Sequence, residues 1–362
     1  MKSDKALNSG CPADKSNTYC PAMSGHRAKA LARQAGGAIA GGAVLLVVST
    51  SVFAHGESLR GGGSGSINTV GASILEEKVI GLRWDARRYE TFSDQQLIDF
   101  KADGEDVHMH SSEDAYFLTY GFPVNEDMDI SLMWQYNNFK GFKDNGDDFA
   151  NDCFAKNPPV KGDPSSAKCI SPTKESPGFG DMLITGRYRF FNDGDNQWAS
   201  VFGVILPTGK ITNRTDNGEI IGTHNQPGSG AITFQGGIAF SGHLTESIAL
   251  DADVIYRFGT QGAKQFRPGN SLQADVAAAF AHHSSIVPVI ELNAIFFDQD
   301  IENDEIKKNS GGDVVYLSPG INYKISKRQG IYANFSYPVY QELGGISNDE
   351  KYRWSLGWSS AF

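Results

Sequence analysis

Hydrophobic and polar residues alternate with a period of two along most of the chain after residue 76. In "MDISLMWQYN", for example, Ile130, Leu132, Trp134 and Tyr136 alternate with mostly polar neighbours. A period of two is the side-chain period of a β-strand. Turn residues divide the alternating region into twelve predicted strands. They span residues 77–90, 114–124, 128–142, 181–191, 198–209, 231–242, 247–259, 271–282, 287–299, 313–325, 331–342 and 351–362.

The connections between these strands alternate in length. Connections after even-numbered strands are short, such as "NED" and "SKRQG". Connections after odd-numbered strands are mostly long: 91–113, 143–180, 210–230, 260–270, 300–312 and 343–350. Outer-membrane barrels have short periplasmic turns and long outer loops, and closure removes the sheet edges that lipid cannot satisfy. The pattern predicts an all-β fold, a transmembrane antiparallel up-and-down β-barrel of twelve strands.

The last predicted strand, "KYRWSLGWSSAF", has one aromatic face and one small polar face. Tyr352, Trp354, Leu356, Trp358 and Phe362 share the aromatic face. In a membrane barrel such a face contacts the lipid. We therefore expect outer-membrane lipid and lipopolysaccharide as neighbours of the barrel. The terminal aromatic residue resembles the assembly signal of outer-membrane barrels, which makes the barrel-assembly machinery an expected partner through Phe362.

The amino-terminal region has the pattern of a secretory signal. Basic residues precede an apolar run from Ala38 to Val48, and small residues follow it up to Ala54. The run is too short to span a bilayer as a helix. We predict a signal peptide over residues 1–54, with Met23 as an alternative start.

Three domains follow from this boundary: the signal peptide, a periplasmic Gly-rich segment over 55–75, and the barrel over 76–362. Residues 55–362 contain 26 Lys and Arg against 40 Asp and Glu, a net charge of −14. Such acidity argues against nucleic-acid binding. The expected location is the outer membrane of a Gram-negative bacterium.

The faces opposite the apolar ones carry charges of both signs. A dry core would not tolerate so many charges, whereas a wet lumen would. The alternative is that they only pair across the barrel and hold its shape. The predicted lumen-lining residues are Arg83, Asp85, Arg87, Asp129, Arg187, Arg189, Asp251, Asp253, Arg257, Asp275, Glu291, Lys324 and Arg353.

The first long loop contains a helix-start signal. Ser93 with Gln96 three residues later matches a capping box, and Leu97 and Phe100 would share one helical face. A short helix here, together with Phe92, would form a gate in the mouth of the barrel. The alternative is a helix lying on the barrel rim.

The same loop continues with His108 and His110, two residues apart in "DVHMHSSED". An extended chain places both on one side, near several carboxylates, where they could bind a divalent metal. A solvated polar loop is the alternative.

Two cysteines, Cys153 and Cys169, lie in the second long loop. An exported protein enters an oxidising compartment, so we predict a disulfide between them.

Signals for catalysis are weak. His282 and Ser284 are two residues apart, a spacing that resembles the His–Ser pair of outer-membrane phospholipases. No polar third partner is evident in the sequence. We assign no catalytic residue and no cofactor, and we predict that the protein is not an enzyme.

Several motifs, in this order and spacing, resemble the outer-membrane family linked to meta-pathway phenol degradation. They are "SPGFGDMLITGRYRF" at 176–190, "GVILPTGK" at 203–210, "QPGSG" at 226–230, "LSPG" at 317–320 and "YPVY" at 337–340. The resemblance implies a barrel and uptake of small organic compounds. We expect a passive outer-membrane channel for small organic solutes, with aromatic or apolar ones favoured. A structural or surface-interaction barrel with a blocked lumen is the alternative, and an outer-membrane hydrolase the third.

Overall fold

The computed structural model describes residues 66–280 and 285–362. Twelve antiparallel strands form a closed barrel in which each strand pairs with the next and β12 pairs with β1. The predicted fold class and strand number are confirmed. The strands are β1 Val79–Tyr89, β2 Ser112–Asn125, β3 Met128–Asp144, β4 in two segments Ser171–Phe179 and Met182–Asn192, β5 Gln197–Leu206, β6 Thr233–Thr245, β7 Ile248–Gly259, β8 Ser271–Phe280, β9 Ile286–Phe297, β10 Gly312–Lys324, β11 Gln329–Leu343 and β12 Glu350–Ala361.

β4 is longer than the sequence predicted. Its second segment pairs with both β3 and β5, whereas its first segment, Ser171–Phe179, pairs with β3 alone. The sequence placed this first segment in a loop because Pro172 and Pro177 interrupt its strand pattern. The loop after β5 covers the free edge, where Lys210 donates its backbone N–H to the last residue of the segment.

The alternation of loop length is confirmed. The connections after odd-numbered strands gather at one end of the barrel, and turns such as 126–127 and 325–328 gather at the other. Because short turns face the periplasm in outer-membrane barrels, we assign the short-turn end to the periplasm and the long-loop end to the exterior.

The exterior of the barrel is apolar. On β12, Trp354 and Leu356 are 47% and 46% exposed, whereas Arg353 and Ser355 between them are buried. Similar exposed rings, including Trp134 and Tyr136, continue around the outer surface. An apolar outer face with its backbone fully paired is what a hydrocarbon environment requires.

Two helices lie in the long loops, α1 Asp94–Ala102 after β1 and α2 Asp148–Lys156 after β3. The predicted capping box at Ser93 is confirmed, because its side chain accepts the Gln96 N–H and the Gln96 side chain accepts the Ser93 N–H. None of the helices formed by the described residues is long and apolar enough to cross a membrane. Short elements complete the loops: 3-10 helices Pro164–Cys169, Thr223–Asn225 and Ala263–Gln265, and strand pieces His108–Met109, Phe266–Arg267, Ile301–Glu302 and Glu305–Ile306.

The helices α1 and α2 pack together in an apolar loop cluster, which we define as Leu97, Ile98, Val107, Ala150, Phe154, Cys169 and Ile170. A disulfide joins Cys153 to Cys169 with an S–S distance of 2.09 Å, as predicted. It links the end of α2 to the 3-10 helix before β4. The side chain of Asn145 adds hydrogen bonds to the Leu97 carbonyl and the Val107 N–H.

Candidate functional site

An extended stretch of chain before β1 lies inside the barrel. We call residues 66–75 the luminal segment. Its apolar members, among them Ile67, Val70 and Leu75, are nearly completely buried. The sequence placed the whole segment 55–75 in the periplasm. For residues 66–75 the structure differs, because inner-face carboxylates and arginines bind this part of the chain within the lumen.

The carboxylates bind the luminal segment through its backbone N–H groups. Glu291 accepts the N–H groups of Ile67 and Asn68, at 2.5 and 2.9 Å. Asp253 accepts the N–H of Val70 at 2.7 Å. Hydrogen bonds to a charged acceptor are stronger than neutral ones, and they satisfy backbone donors that would otherwise be buried without a partner.

The same pattern continues toward the short-turn end. Asp129 of β3 accepts the N–H of Leu75 at 2.8 Å, and the hydroxyl of Ser241 accepts the N–H of Ala72 at 2.8 Å. Asp251 accepts the hydroxyl of Ser66 at 2.6 Å. Acceptors on β3, β6, β7 and β9 therefore hold the luminal segment across the interior.

Two arginines bind the carbonyl groups of the segment. Arg83 donates to the Ile67 carbonyl at 3.2 Å and to the Asn68 side chain at 2.8 Å. Arg187 donates to the Gly71 carbonyl at 2.9 Å. Each arginine also forms an ion pair on the barrel wall, Arg83 with Asp85 and Arg187 with Asp129. Carboxylates of the wall thus bind the N–H groups of the luminal segment, and arginines of the wall bind its carbonyl groups.

The lumen also contains an apolar patch. Val70 and Ala72 of the luminal segment pack against Ala199, Val201 and Ile255 of the wall. This contact explains why β5 is apolar on both faces, since its outer face meets lipid and its inner face meets the segment.

The luminal segment approaches the wall most closely at Gly71. A Cβ atom there would lie 2.8 Å from both the Asp251 Oδ1 and the Ser241 Oγ. Such distances are closer than van der Waals contact allows, so a larger residue here would require the Asp251 and Ser241 side chains or the segment itself to shift.

The predicted lumen-lining residues lie inside the barrel with few exceptions. Arg189 lies at the short-turn rim, half-buried and paired with Asp127 at 3.0 Å, and Lys324 is exposed at the same end. These two side chains belong to the rim rather than to the lumen. The buried inner-face members are Arg83, Asp85, Arg87, Asp129, Arg187, Asp251, Asp253, Arg257, Asp275, Glu291 and Arg353.

A cavity of about 220 Å³ lies inside the barrel toward the long-loop end. We call it the outer cavity. Its wall combines aromatic and aliphatic side chains with three arginines and polar loop residues. Its lining residues include Arg87, Tyr89, His108, His110, Arg257, Ile295, Phe297, Asp300, Val314, Tyr316, Gln341, Leu343, Glu350 and Arg353.

The predicted gate residues lie elsewhere. Leu97 is completely buried in the loop cluster, and Phe92 and Phe100 pack against that cluster. None of these three side chains lines the outer cavity. The apolar face of α1 faces α2 because the second long loop supplies Ala150 and Phe154 as packing partners. A gate formed by these three residues therefore has no support in the geometry.

The two loop histidines line the outer cavity, but they pack against aromatic rings. The His110 ring lies 4.5 Å from that of Tyr89, and the His108 ring stacks near Phe142. Burial lowers the pKa of His108 to about 4 and that of His110 to about 3. Among residues 66–280 and 285–362 no group of three or more metal-ligating side chains is positioned to hold a metal. Among the described residues, His108 and His110 therefore have no third side chain placed to complete the predicted metal site.

Sequence reasoning missed the luminal segment and two inner-face carboxylates, Glu113 and Glu350. One signal was present: residues 61–75 contain no charged residue in an otherwise acidic mature chain, which is unusual for a solvated linker. Glu113 pairs with Arg87 at 3.0 Å, and Glu350 pairs with Arg353 at 2.8 Å. His282 and Ser284, the pair considered for catalysis, lie outside the described residues.

A closed barrel with an apolar exterior and a charged interior is a transmembrane barrel of the Gram-negative outer membrane. More narrowly, the chain belongs to the family described as "Putative MetA-pathway of phenol degradation", whose model matches residues 118–346. The resemblance noted from the motifs is therefore confirmed. No curated protein matches the sequence.

Solved structures are similar to this chain to different degrees. The COG4313 outer membrane channel from Pseudomonas putida F1 is 11% identical with a TM-score of 0.55, covering 80% of this chain and 97% of that chain. The KdgM porin is 9% identical with a TM-score of 0.39, covering 78% and 99%. The CymD monoaromatic hydrocarbon channel is 12% identical with a TM-score of 0.38, covering 80% and 89%.

Proposed function

We propose that this barrel is a passive outer-membrane channel for small organic solutes, in particular apolar or aromatic ones. The observation that carries the proposal is the outer cavity, which lies in the long-loop half of a barrel whose other half holds the luminal segment. A solute that enters from the exterior would occupy the outer cavity first. It would then pass only when the luminal segment moves.

The way in which the luminal segment is held suits movement. Its contacts are hydrogen bonds to its backbone and small apolar contacts, such as that of Ala72 with the wall. The charged groups that bind it would be hydrated if the segment left. Because water replaces such hydrogen bonds, each contributes only about 0.5–3 kcal/mol net. The segment is therefore a displaceable closure, unlike the continuous hydrogen-bonded sheet around it.

The composition of the outer cavity supports the solute class. Ile295 and Val314 form an apolar wall with Tyr316, and Phe297 and Leu343 pack against it. Pockets that bind small organic ligands combine such apolar surface with a few polar groups. The family description, which refers to phenol degradation, supports the same class.

Conductance in planar bilayers tests the channel. We expect small, infrequent openings for the mature wild-type protein and at least a severalfold larger conductance after deletion of residues 66–75. Deletion of residues 94–107, which removes α1, tests the predicted loop gate separately. Since α1 does not line the outer cavity, its deletion should change conductance less. Zero conductance in all three proteins would contradict a channel along this route.

A structural barrel with a blocked lumen is the second candidate. The filled interior favours it, since fixed charges hold the luminal segment at several points. In this case loops 91–113 and 143–180 would act as the contact surface. The wild-type protein separates the two candidates, because a barrel that the luminal segment blocks permanently shows no openings until residues 66–75 are deleted. We assign the protein no catalytic activity, and contact with lipopolysaccharide stays a prediction.

A further inference from the structure

Arg257 differs from the other inner-face arginines in its partners. Its Nε donates to the Gln235 side chain and its Nη1 to the Gln273 side chain, both at 2.9 Å. No carboxylate of residues 66–280 or 285–362 lies within ion-pair distance of it. By contrast, Arg83, Arg187 and Arg353 each form an ion pair.

The side chain of Arg257 is only 6% exposed, and it lines the outer cavity. A buried guanidinium held only by neutral amides has lost most of its hydration without gaining a counter-ion. An anionic group entering the cavity would supply that counter-ion. Carboxylate and phosphate oxygens both match the fork of a guanidinium.

A second arginine of the outer cavity has an unused donor. Arg353 binds Glu350 through Nε and Nη2, and its guanidinium lies 4.7 Å from the centre of the Tyr316 ring. Its Nη1 is buried and has no hydrogen-bond partner among the described residues. A buried donor without a partner is rare in proteins and marks a position where a ligand oxygen would be stabilised.

The carboxylates around the outer cavity are already bound. Glu350 accepts from Arg353 and from the Tyr316 hydroxyl, and Glu113 accepts from Arg87. Asp300 accepts the backbone N–H of Gly269 at 3.0 Å. None of the three approaches Arg257 within ion-pair distance. Asp275 also acts on Arg257 electrostatically, but it forms no ion pair with it and accepts a hydrogen bond from the Gln273 side chain instead.

The wall between Arg257 and Arg353 is apolar. Ile295 and Val314 of β9 and β10 form its centre, and Leu343 packs against them. A sugar on this wall would leave hydroxyl groups without partners, whereas an aromatic ring would not. The ligand must therefore combine an anionic end with an apolar body.

We propose that the outer cavity is a binding site for small aromatic or aliphatic carboxylates, with the carboxylate on Arg257 and the apolar body on Ile295, Val314 and Leu343. The position of this site on a transport route rests on the proposed channel function. It names the solute class as organic acids rather than neutral hydrocarbons. Binding itself is measurable without transport.

Calorimetric titration of the mature protein in detergent tests the site, with benzoate and benzamide as probes. The two share a ring, and only benzoate carries a negative charge. We expect benzoate to bind at least tenfold more tightly than benzamide. In Arg257→Gln this preference should fall at least tenfold with benzamide binding changed less than twofold. Arg257→Lys should retain part of the preference, because it keeps the charge.

Two further variants control the interpretation. Arg214→Gln removes a cation from the loop after β5, outside the cavity lining, and should leave both affinities unchanged. Leu343→Gln should weaken benzoate and benzamide alike, because it alters the apolar wall. Retention of heat-dependent migration on SDS gels would show that each barrel has folded.

Equal binding of benzoate and benzamide to the wild type would overturn the proposal, as would an unchanged preference in Arg257→Gln. Displacement of benzoate by an equal concentration of inorganic phosphate would overturn the role of the apolar body. Zero conductance with an intact preference for benzoate would refute the channel and support the carboxylate site. Conductance without a preference for benzoate would support the channel and refute the carboxylate site.

Discussion

The carboxylate of Asp253 lies 2.7 Å from the backbone nitrogen of Val70, so a strand of the barrel wall directly binds the chain that enters the lumen. The contact involves the backbone of Val70 and not its side chain. Comparable contacts recur along the luminal segment, and they govern how the interior can open.

Gly71 provides a direct test of this closure. A valine at this position would crowd the Asp251 and Ser241 side chains, which hold the luminal segment, and should weaken its binding in Gly71→Val. We expect a severalfold higher bilayer conductance with an intact barrel. Gly236→Val is the matched control, because a Cβ there meets no atom within 4 Å. Equal conductance of Gly71→Val and the wild type would mean that the segment does not limit passage.

The disulfide should stabilise the loop cluster and leave the barrel unaffected. It closes a loop with a sequence separation of 16 residues, for which chain entropy gives about 3 kcal/mol. In Cys153→Ser with Cys169→Ser, limited proteolysis should cut residues 145–170 much faster, while heat-dependent gel migration of the barrel stays the same. Mass spectrometry of the unreduced mature protein should find no free thiol. Two alkylatable thiols would contradict the bridge.

The loop after β1 should lose stability in acid. Burial and the neighbouring His108 lower the pKa of His110 to about 3, whereas an unfolded loop would give the usual 6.5. Between these values only the unfolded form binds the proton, so stability is present at pH 7 and is lost as the pH falls. From pH 7 to pH 5 the loss from His110 alone is about 2 kcal/mol.

Hydrogen exchange of residues 90–111 at both pH values measures this effect. His110→Phe should remove about half of the pH dependence, because His108, whose pKa is also lowered to about 4, contributes a similar share. His243→Phe, an exposed histidine at the short-turn end, should leave it unchanged. An equally steep loss in His110→Phe would show that another group causes it.

The assignment of the two barrel ends can be checked in intact cells. Asp216→Cys places a thiol in the loop after β5, and Lys327→Cys places one in the last short turn; both positions are exposed. A membrane-impermeant maleimide should label the first in intact cells and the second only after permeabilisation. The native cysteines do not interfere, since they are bridged. The opposite labelling pattern would reverse the assigned orientation.

We expect the Phe362 side chain to promote insertion of the barrel into the outer membrane and to contribute little to the stability of the folded barrel. Its backbone N–H donates to the Lys78 carbonyl at 2.9 Å, but its side chain is 58% exposed. Phe362→Ala should therefore refold normally from denaturant in detergent, yet reach the outer membrane of cells in severalfold lower amounts. Leu244→Ala, an exposed aliphatic residue at the same end, serves as the control. Normal cellular levels of Phe362→Ala would remove its predicted role.

The barrel was predictable because lipid imposes a strict alternation. Trp354 and Leu356 show it on β12, and all twelve strands were found in this way. The first segment of β4 was missed because its prolines conceal the pattern. The α1 helix was predicted from Ser93 and Gln96, but its packing partner was not. Leu97 and Phe154 belong to the same apolar cluster although they lie in different loops, and no local sequence pattern specifies that arrangement.

The luminal segment was missed for a related reason. Its residues are small and uncharged, and their partners, such as Glu291 and Arg83, are more than 10 residues away in sequence. Contacts to the backbone of the bound segment leave little mark on its sequence, and its few side-chain contacts, such as that of Asn68 with Arg83, follow no period. Periodicity therefore carries no information about it. Likewise, the sequence could not show that Arg257 lacks an ion pair, because its partners Gln235 and Gln273 lie on neighbouring strands.

The luminal segment joins β1 through only residues 76–78, and this short connection makes it an intramolecular ligand of the barrel. A ligand tethered so closely has an effective concentration on the order of millimolar or higher, whatever the dilution of the protein. A solute in the lumen would compete with the luminal segment for its binding groups, but the tether would keep the displaced segment close to them. If the barrel works as the proposed channel, this closure would reset after each passage without any external signal. The length of the tether would then set how fast the segment returns.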